Sequence, residues 1–324
     1  MQTAESPRDY ERLWLMPVRL RRAVRALVIA FVLLVVALVI VGRFESGRGL
    51  IVRTYVRVER LWARDFPIVR AKGAIRTLEP FLSRIGVLQP VRIEVDPGVS
   101  LLLDPAEDIA RTILISRQGK WEPEVWAAIS SGLGEGAVFF DVGAHVGYDS
   151  LKAARLVGEK GRVVAFEPNP NTLRLLRSNI EASHARNIIV QPVACTDSEQ
   201  SLTLFDSTPG GNSGSSSLSQ ANAGTVTRPY TVRGRPIDDV VAELGLAHVD
   251  VLKADVEGAE LMVLRGAVQT LRRFHPKLIL EVVPRQLHNM NASVEELEAF
   301  VKFLGYGEPR TIDYKNKEWT VRTP

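Results

Sequence analysis

Short apolar runs alternate with amphipathic stretches through most of the chain, and this alternation predicts strands and helices in turn. The clearest run, Val138–Val142, is unbroken and rich in β-forming residues, as a strand covered on both faces must be. Further strands are predicted at Arg162–Phe166, Asn187–Val193, Val249–Ala254, Lys277–Leu280 and within 310–321. The pattern indicates an α/β fold, a three-layer sandwich of helices on a mostly parallel seven-stranded sheet with an antiparallel edge.

The N-terminal part has a different hydropathy pattern. Residues 1–25 form a polar, basic tail, and Ala26–Val41 then run for sixteen residues without a polar side chain. Arginines flank both ends of this run, and no small-residue cleavage site follows it. We therefore predict a single transmembrane helix over residues 26–42, at the short end of the usual length.

Residues 43–90 are predicted to form a juxtamembrane, amphipathic helical linker. Ile51 and Tyr55 recur at helical spacing, and Arg53 and Arg57 fall on the opposing side. Such a helix can lie on the lipid surface, pair with its copy in a homodimer, or serve as a plain linker. After it, Val91–Leu103 alternates around a Pro-Gly turn like a hairpin, where the large domain, residues 91–324, begins.

Composition and charge narrow the class of protein. The chain has 324 residues, 46% of them hydrophobic, and one cysteine, which excludes an intramolecular disulfide framework and a cysteine-based zinc site. Residues 1–100 carry 17 Lys or Arg against 9 acids, so the basic excess lies beside the apolar segment. This arrangement favours contact with anionic lipid, and we expect no nucleic-acid binding.

Carboxylates stand at the ends of four predicted strands. They are Asp141, Glu167, Asp255 with Glu257, and Glu281. Acids crowded at one sheet edge destabilise a fold unless a cation or proton shares them, so a ligand with positive charge and free hydroxyls suits this edge. A dinucleotide site would need glycines where His145 and Tyr148 stand, which disfavours a nicotinamide dehydrogenase.

Three motifs in this order resemble the FkbM family of S-adenosylmethionine-dependent methyltransferases. They are Asp-Val-Gly-Ala-His-Val-Gly at 141–147, Phe-Glu-Pro-Asn-Pro at 166–170 and Lys-Ala-Asp-Val-Glu-Gly-Ala-Glu at 253–260. The resemblance covers residues 91–324 and implies a class I methyltransferase, Rossmann-like fold with S-adenosyl-L-methionine as cofactor. It implies cofactor contacts at Asp141, Gly143, Ala144, His145, Gly147, Glu167, Asn169, Cys195, Asp197 and Asp255. The family usually has Asn in place of His145.

The acceptors typical of the family imply O-methylation of a hydroxyl on a sugar, glycolipid or polyketide-like molecule. We expect Asp255 or Glu257 to orient or deprotonate that hydroxyl, with Lys253 and Glu281 in support, whereas His145 and His288 are rival bases. No metal is predicted, because shared protons or the sulfonium can balance the acids, although Asp255, Glu257 and Glu281 could converge as oxygen ligands.

Three further questions stay open at this level. Thr208–Gly224, rich in Gly, Ser and Asn, is either a lid or a surface insertion. The methyl donor is made in the cytosol, so a cytoplasmic catalytic domain is expected, although the flanking charges slightly favour the opposite orientation. A membrane-tethered scaffold that has lost activity is the alternative to an enzyme.

Overall fold

The computed structural model describes residues 47, 49–55, 57, 84, 89–105, 107–116, 120–207, 213–224 and 227–321. The chain divides into two units, Met1–Gln89 and Pro90–Pro324. The predicted polar tail, 1–25, and membrane segment, 26–42, lie outside the described residues. Within the part that is described, no helix combines the length and the apolar character needed to cross a bilayer.

In the first unit, the structure describes a helical stretch at residues 49–55. Ile51 and Tyr55 are partly buried there, whereas Arg53 is exposed, which is the sidedness that the amphipathic pattern predicts. Most of the rest of the predicted linker lies outside the described residues.

The second unit contains the strands of the fold. Within the described residues they are β1 Val91–Asp96, β2 Val99–Leu103, β3 Val138–Val142, β4 Arg162–Phe166, β5 Ile188–Gln191, β6 Ala194–Cys195, β7 Gln200–Asp206, β8 Arg228–Arg235, β9 Val251–Ala254, β10 Lys277–Glu281, β11 Arg310–Thr311 and β12 Asn316–Trp319.

Helices connect most of these strands. Within the described residues they are α1 Asp108–Ile115, α2 Pro123–Ser130, α3 Tyr148–Val157, α4 Pro170–Ala182, α5 Gln220–Ala223, α6 Ile237–Leu244, α7 Glu260–Arg265, α8 Val268–Phe274, α9 Pro284–Asn289 and α10 Val294–Phe303, with a 3₁₀ turn at Ser213–Ser215.

The main sheet has seven strands in the order β11-β12-β10-β9-β3-β4-β5. The five strands from β10 to β5 run parallel, and β12 pairs antiparallel with β10 on one side and β11 on the other. The predicted mostly parallel seven-stranded sheet with an antiparallel edge is therefore confirmed. Parallel strands end at the same edge, so the carboxylates at the C-terminal ends of β3, β4, β9 and β10 lie along one edge of the sheet.

Helices cover both faces of this sheet, which explains why β3 is apolar throughout. Phe139 packs in a cluster with Val125 of α2 and Val157 of α3. Phe140 points to the other face and packs with residues of α6 to α10, among them Leu264. Every residue of β3 is buried, as expected for a central strand between two helical layers.

A second sheet, β6-β8-β7, was not predicted. The predicted third strand, Asn187–Val193, is shorter in the structure, because β5 ends at Gln191 and the chain then enters β6 of this second sheet. The predicted hairpin is confirmed: β1 and β2 pair antiparallel, with Gly98 in a positive-φ conformation at the turn.

Candidate active site

The turn after β3 packs tightly against the end of β9. Gly143 has φ +87, and a Cβ at this position would overlap the backbone carbonyl oxygen of Asp255. The backbone N–H groups of Gly143 and Ala144 both donate to the carbonyl oxygen of Phe166, at 3.1 and 3.0 Å. Glycine is thus required here for steric as well as conformational reasons, and the turn ties the ends of three strands together.

Lys253 lies at the centre of a buried acidic cluster behind this turn. Its Nζ is 3.7 Å from Asp141 Oδ1, 3.4 Å from Asp149 Oδ2 and 3.9 Å from Asp255 Oδ2. Burial alone would lower the pKa of Lys253, but these carboxylates raise it above its usual value, so the ammonium stays charged. Burial raises the pKa of Asp149 to about 6, and the Lys253 charge opposes that shift.

Asp141 is held inside this cluster and does not line a cavity. Only 1% of its surface is exposed, and Ser150 Oγ donates to Asp141 Oδ2 at 2.5 Å. The side chain therefore positions Lys253 and the start of α3. A direct contact of Asp141 with a cofactor, as the resemblance implies, is not what this geometry offers.

Glu167 follows β4 and lines a first cavity. Its Oε1 accepts the backbone N–H of Asn169 at 2.8 Å, and its Oε2 accepts that of His145 at 2.9 Å. Burial raises the pKa of Glu167 to about 7. Each carboxylate oxygen keeps a second lone pair, so this oriented acid can accept hydrogen bonds from two neighbouring hydroxyls, as on a ribose ring.

The rest of this first cavity is largely apolar. Val193, Cys195, Leu204 and Leu218 contribute to its walls, which suits the flat face of a base. Cys195 is buried, and burial raises its pKa well above the usual value, so it is a thiol in the wall and not a nucleophile. The apolar walls and the Glu167 carboxylate together suit the base and the ribose hydroxyls of a nucleoside.

Asp197, Asn169 and Gly147 lie outside the cavity walls. Asp197 is exposed and accepts hydrogen bonds from Ser198 Oγ at 3.1 Å and Gln200 Nε2 at 3.3 Å, because the chain has already turned into the second sheet. Asn169 caps α4 by accepting the N–H of Asn171, and its Nδ2 donates to Asp206 Oδ1 at 2.9 Å. Gly147 packs against Leu176, which a Cβ would approach to 2.6 Å.

A second, more polar cavity shares Gly143, His145, Asp255 and Glu257 with the first. Its walls also carry charged and hydrogen-bonding side chains from distant parts of the chain: Tyr148, Asp149, Lys253, Glu281, Gln286, Tyr314 and Lys315. The two cavities therefore meet at the end of β9.

Glu257 and Glu281 are two of the four acids that line this second cavity. Glu257 has φ +55 and accepts a short hydrogen bond from Gln286 Nε2. Burial, and then the charge of Asp255, raise its pKa to about 8. Glu281 accepts from Lys315 Nζ at 2.7 Å, and burial raises its pKa to about 9. Lys315 also lies 3.0 Å from Glu122 Oε1.

The two rival bases differ in position. His145 lines both cavities, and burial lowers its pKa to about 4, so the imidazole is neutral near pH 7. His288 is exposed in α9 and lines neither cavity. Of the two, the geometry retains only His145 at the site.

Part of the Gly- and Ser-rich segment closes over the site. Gly214 lines both cavities, and Ser217 Oγ donates to the carbonyl oxygen of Glu257 at 3.0 Å. Asn222 Nδ2 donates to the same oxygen at 2.8 Å and to the carbonyl oxygen of Gln286 at 3.0 Å. Residues 213–224 thus contact the site directly, which favours the lid interpretation over the surface insertion.

Sequence reasoning missed Asn222, Gln286 and Lys315. Asn222 and Gln286 lie in short helices and Lys315 in a turn, and none of the three belongs to an apolar period or a recognised motif. A polar residue in such a segment looks the same whether it faces solvent or a cavity. Only the fold brings these three side chains to the end of β9.

Comparison with known proteins agrees with this geometry. A family model described as the methyltransferase FkbM domain matches residues 141–307. The hexuronic acid methyltransferase AglP of Haloferax volcanii is 29% identical over 138 residues, covering 43% of this chain and 53% of that protein. The 2-O-methyltransferase NoeI of Sinorhizobium fredii is 28% identical over 147 residues, covering 42% and 59%.

A solved structure, the methyltransferase FkbM of Methylobacillus flagellatus, aligns with 66% of this chain and 55% of its own, at 16% identity and a TM-score of 0.44. The chain spans between 8% and 59% of the length of the curated relatives that it matches.

Proposed function

The chain belongs to the FkbM family of S-adenosylmethionine-dependent methyltransferases, and from that premise we propose that it methylates a hydroxyl of a sugar or sugar-containing acceptor such as a glycolipid. The observation that carries this proposal is the polar second cavity, which opens beside the more apolar first cavity and shares its wall at Asp255 and Glu257.

The first cavity fits the donor. S-adenosyl-L-methionine supplies an electrophilic methyl group on a positively charged sulfur. The Glu167 carboxylate, oriented by two backbone N–H groups, would hold its ribose hydroxyls, and the apolar wall at Val193, Cys195 and Leu204 would cover its base. The acids around Gly143 supply the negative charge that a sulfonium requires.

The second cavity suits an acceptor with several hydroxyls. Carboxylates, ammonium groups, a side-chain amide and phenols face the same space, so donors and acceptors of hydrogen bonds are both present. An apolar acceptor could form no hydrogen bonds with these groups, whereas a sugar could form several. The printed names of AglP and NoeI, a hexuronic acid methyltransferase and a 2-O-methyltransferase, support the same acceptor class.

The residues at the junction of the cavities act on the acceptor hydroxyl. As the new O–C bond forms, the O–H bond breaks, and the proton passes to a carboxylate, for which Asp255 and Glu257 are the candidates. Gln286 holds the Glu257 side chain, and Lys253 holds that of Asp255. Correct placement of the oxygen contributes most of the rate in such a transfer.

The proposal is tested with the purified chain, donor labelled in its methyl group and a panel of acceptors. Uronic acids, neutral glycans and glycolipids are compared with catechol, a small phenol that lacks a sugar ring. We expect label on a sugar oxygen, located by fragmentation mass spectrometry. Label on catechol alone, or on nitrogen or carbon, would contradict the proposed acceptor class.

We also propose that residues 26–42 tether the enzyme to a membrane with the catalytic domain on the cytoplasmic side. The support is the apolar run Ala26–Val41 and the cytosolic origin of the donor. A reporter fused after Pro324 checks the side. Reporter activity on the far side of the membrane would refute the orientation, and release of the protein by carbonate would refute the tether.

A further inference from the structure

We propose that two aromatic residues of the second cavity, Trp121 and Tyr314, bind the flat face of a sugar ring. Both side chains line that cavity, together with the charged groups at the ends of β9 and β10. A sugar ring presents C–H groups on its face, and the negatively polarised face of an aromatic ring attracts them. This inference rests on the proposed function and narrows its acceptor to cyclic sugars.

Tyr314 lies at the mouth of the cavity, on an ordered turn. It is 93% exposed, although it belongs to the cavity wall. Asp313 Oδ1 fixes the turn between β11 and β12, because it accepts the backbone N–H groups of Lys315 at 2.9 Å and of Asn316 at 2.8 Å. A tyrosine has only two side-chain torsions, so little conformational entropy is lost when this ring contacts a ligand.

Trp121 reaches the same cavity from the segment before α2. It is partly buried, and its backbone N–H donates to the hydroxyl of Tyr148 at 3.0 Å. The next residue, Glu122, has φ +39, and Pro123 then begins α2. A left-handed residue followed by a proline restricts the backbone, and such conformations are concentrated at binding sites. The fold therefore determines the position of Trp121.

An ion pair connects the two segments that carry the aromatic residues. Glu122 is the next residue after Trp121. Lys315 is the next residue after Tyr314. Glu122 Oε1 lies 3.0 Å from Lys315 Nζ, and 16% and 18% of these two side chains are exposed, so water screens the pair weakly. Lys315 also contacts Glu281 at 2.7 Å. The ion pair thus links both aromatic segments to the polar wall of the cavity.

Aromatic rings beside hydrogen-bonding groups match the two kinds of surface on a sugar ring. The hydroxyl groups at the edge of the sugar need hydrogen-bond donors and acceptors, which the cavity supplies. The C–H groups on its face need an aromatic or apolar cover. An open-chain polyol has the same hydroxyl groups but no flat face. Trp121 and Tyr314 therefore select cyclic sugars over open-chain polyols.

The test measures sugar binding by nuclear magnetic resonance. The full chain is purified in a detergent without sugar groups and saturated with S-adenosylhomocysteine, the product formed from the donor. Aromatic protons of the protein are irradiated, and transfer of saturation to the ligand reports contact with its C–H groups. Methyl glucoside, methyl galactoside and methyl glucuronide are compared with sorbitol, an open-chain polyol. We expect transfer to at least one glycoside and none to sorbitol.

Variants of Tyr314 separate aromatic stacking from other contacts. Tyr314→Ala should weaken the affinity for the bound glycoside by about threefold to tenfold, while donor affinity by calorimetry stays unchanged. Tyr314→Phe keeps the ring and should bind like the wild type. Tyr314→Leu keeps an apolar side chain without a ring and should bind as weakly as Tyr314→Ala. Phe303→Ala is the matched control, because Phe303 is 66% exposed and lines neither cavity.

Four results would overturn the role of the aromatic pair. They are equal transfer to sorbitol and the glycosides, no transfer to any glycoside, unchanged affinity in Tyr314→Ala, and full affinity in Tyr314→Leu. Sugar methylation with an unchanged KM in Tyr314→Ala would refute the aromatic pair and leave the proposed function standing. Glycoside binding that depends on Tyr314, without methylation of any sugar, would do the reverse.

Discussion

Asn222 in the lid segment donates a hydrogen bond to the backbone carbonyl oxygen of Glu257, at 2.8 Å. The same amide also donates to Gln286 at 3.0 Å, and its oxygen accepts from Asn289 at 2.7 Å. One side chain therefore connects the lid, the turn after β9 and helix α9. Because Glu257 sits in a left-handed conformation, its carboxylate depends on such external support.

The first prediction concerns this connection. Asn222→Ala removes the hydrogen bond to the carbonyl oxygen of Gln286 and leaves that of Glu257 with Ser217 Oγ alone, which should lower the free energy of unfolding by about 1–3 kcal/mol. It should also raise KM for the acceptor and reduce kcat, while donor affinity by calorimetry stays close to the wild type. Gln220→Ala, an exposed change in the same short helix, is the control. Equal loss of donor and acceptor binding would indicate a merely structural role.

Glu257 is predicted to act on the acceptor and not on the donor. Glu257→Gln keeps the shape of the side chain but removes its ability to accept a proton, so turnover should fall by about 10²- to 10⁴-fold. Donor binding should survive. Glu243→Gln, which removes an exposed acid paired with Arg235, should leave turnover unchanged. Wild-type turnover in Glu257→Gln would refute the role.

Donor affinity is predicted to depend on pH through Glu167. Its pKa is raised to about 7, so its carboxylate is protonated below that pH and accepts hydrogen bonds less well. Between pH 8 and pH 6 the affinity for S-adenosylmethionine should fall by about tenfold, the change in the ionised fraction of one such group. Calorimetry at several pH values measures this. An unaltered profile in Glu167→Gln would assign the dependence to another residue.

The turn after β3 should tolerate no side chain at Gly143. Gly143 and Gly136 have nearly the same positive φ, +87 and +86, but a Cβ at Gly136 would meet nothing within 4 Å. Gly136→Ala should therefore cost only the left-handed strain, about 1–2 kcal/mol. Gly143→Ala should cost about 1–3 kcal/mol more, because the Cβ overlaps the Asp255 carbonyl, and should also abolish donor binding. Urea denaturation measures the free energy of unfolding of both variants, and equal values would contradict the packing argument.

Glu260 should make the fold less stable as the pH rises. It is 1% exposed, its Oε1 accepts the N–H groups of Val256 and Gly258, and burial raises its pKa from 4.5 to about 7. A raised pKa means that the folded state holds the proton more tightly, so the stabilisation is complete below pH 4.5 and is lost as the pH rises through 7. The loss is on the order of 3 kcal/mol. Glu260→Gln keeps an acceptor for both N–H groups, and the difference in unfolding free energy between pH 5 and pH 8 should shrink in this variant. If the difference between pH 5 and pH 8 is as large in Glu260→Gln as in the wild type, Glu260 is not the residue that causes it.

The positions of most main-sheet strands along the chain could be predicted from the sequence. Strands β3, β4, β9 and β10 are short apolar runs closed by glycine, proline or acidic residues, and such local patterns depend little on distant contacts. The second sheet could not be read in this way. β7 and β8 alternate polar and apolar residues weakly and lie partly exposed, so neither stands out from a loop.

The sequence by itself determined that acids stand at the ends of parallel strands, since the strand pattern and the residue after it are both local. Only the tertiary structure decided what each acid meets. In the fold, Asp141 contacts Lys253 and Ser150, and Asp197 lies exposed beside the second sheet. Asn222 and Gln286 contact Glu257, and Lys315 contacts Glu281. The physical reason is that polar contacts between segments far apart in the chain depend on the packing of the whole fold. The residues that make such contacts show no hydrophobic period in the sequence from which they could be predicted.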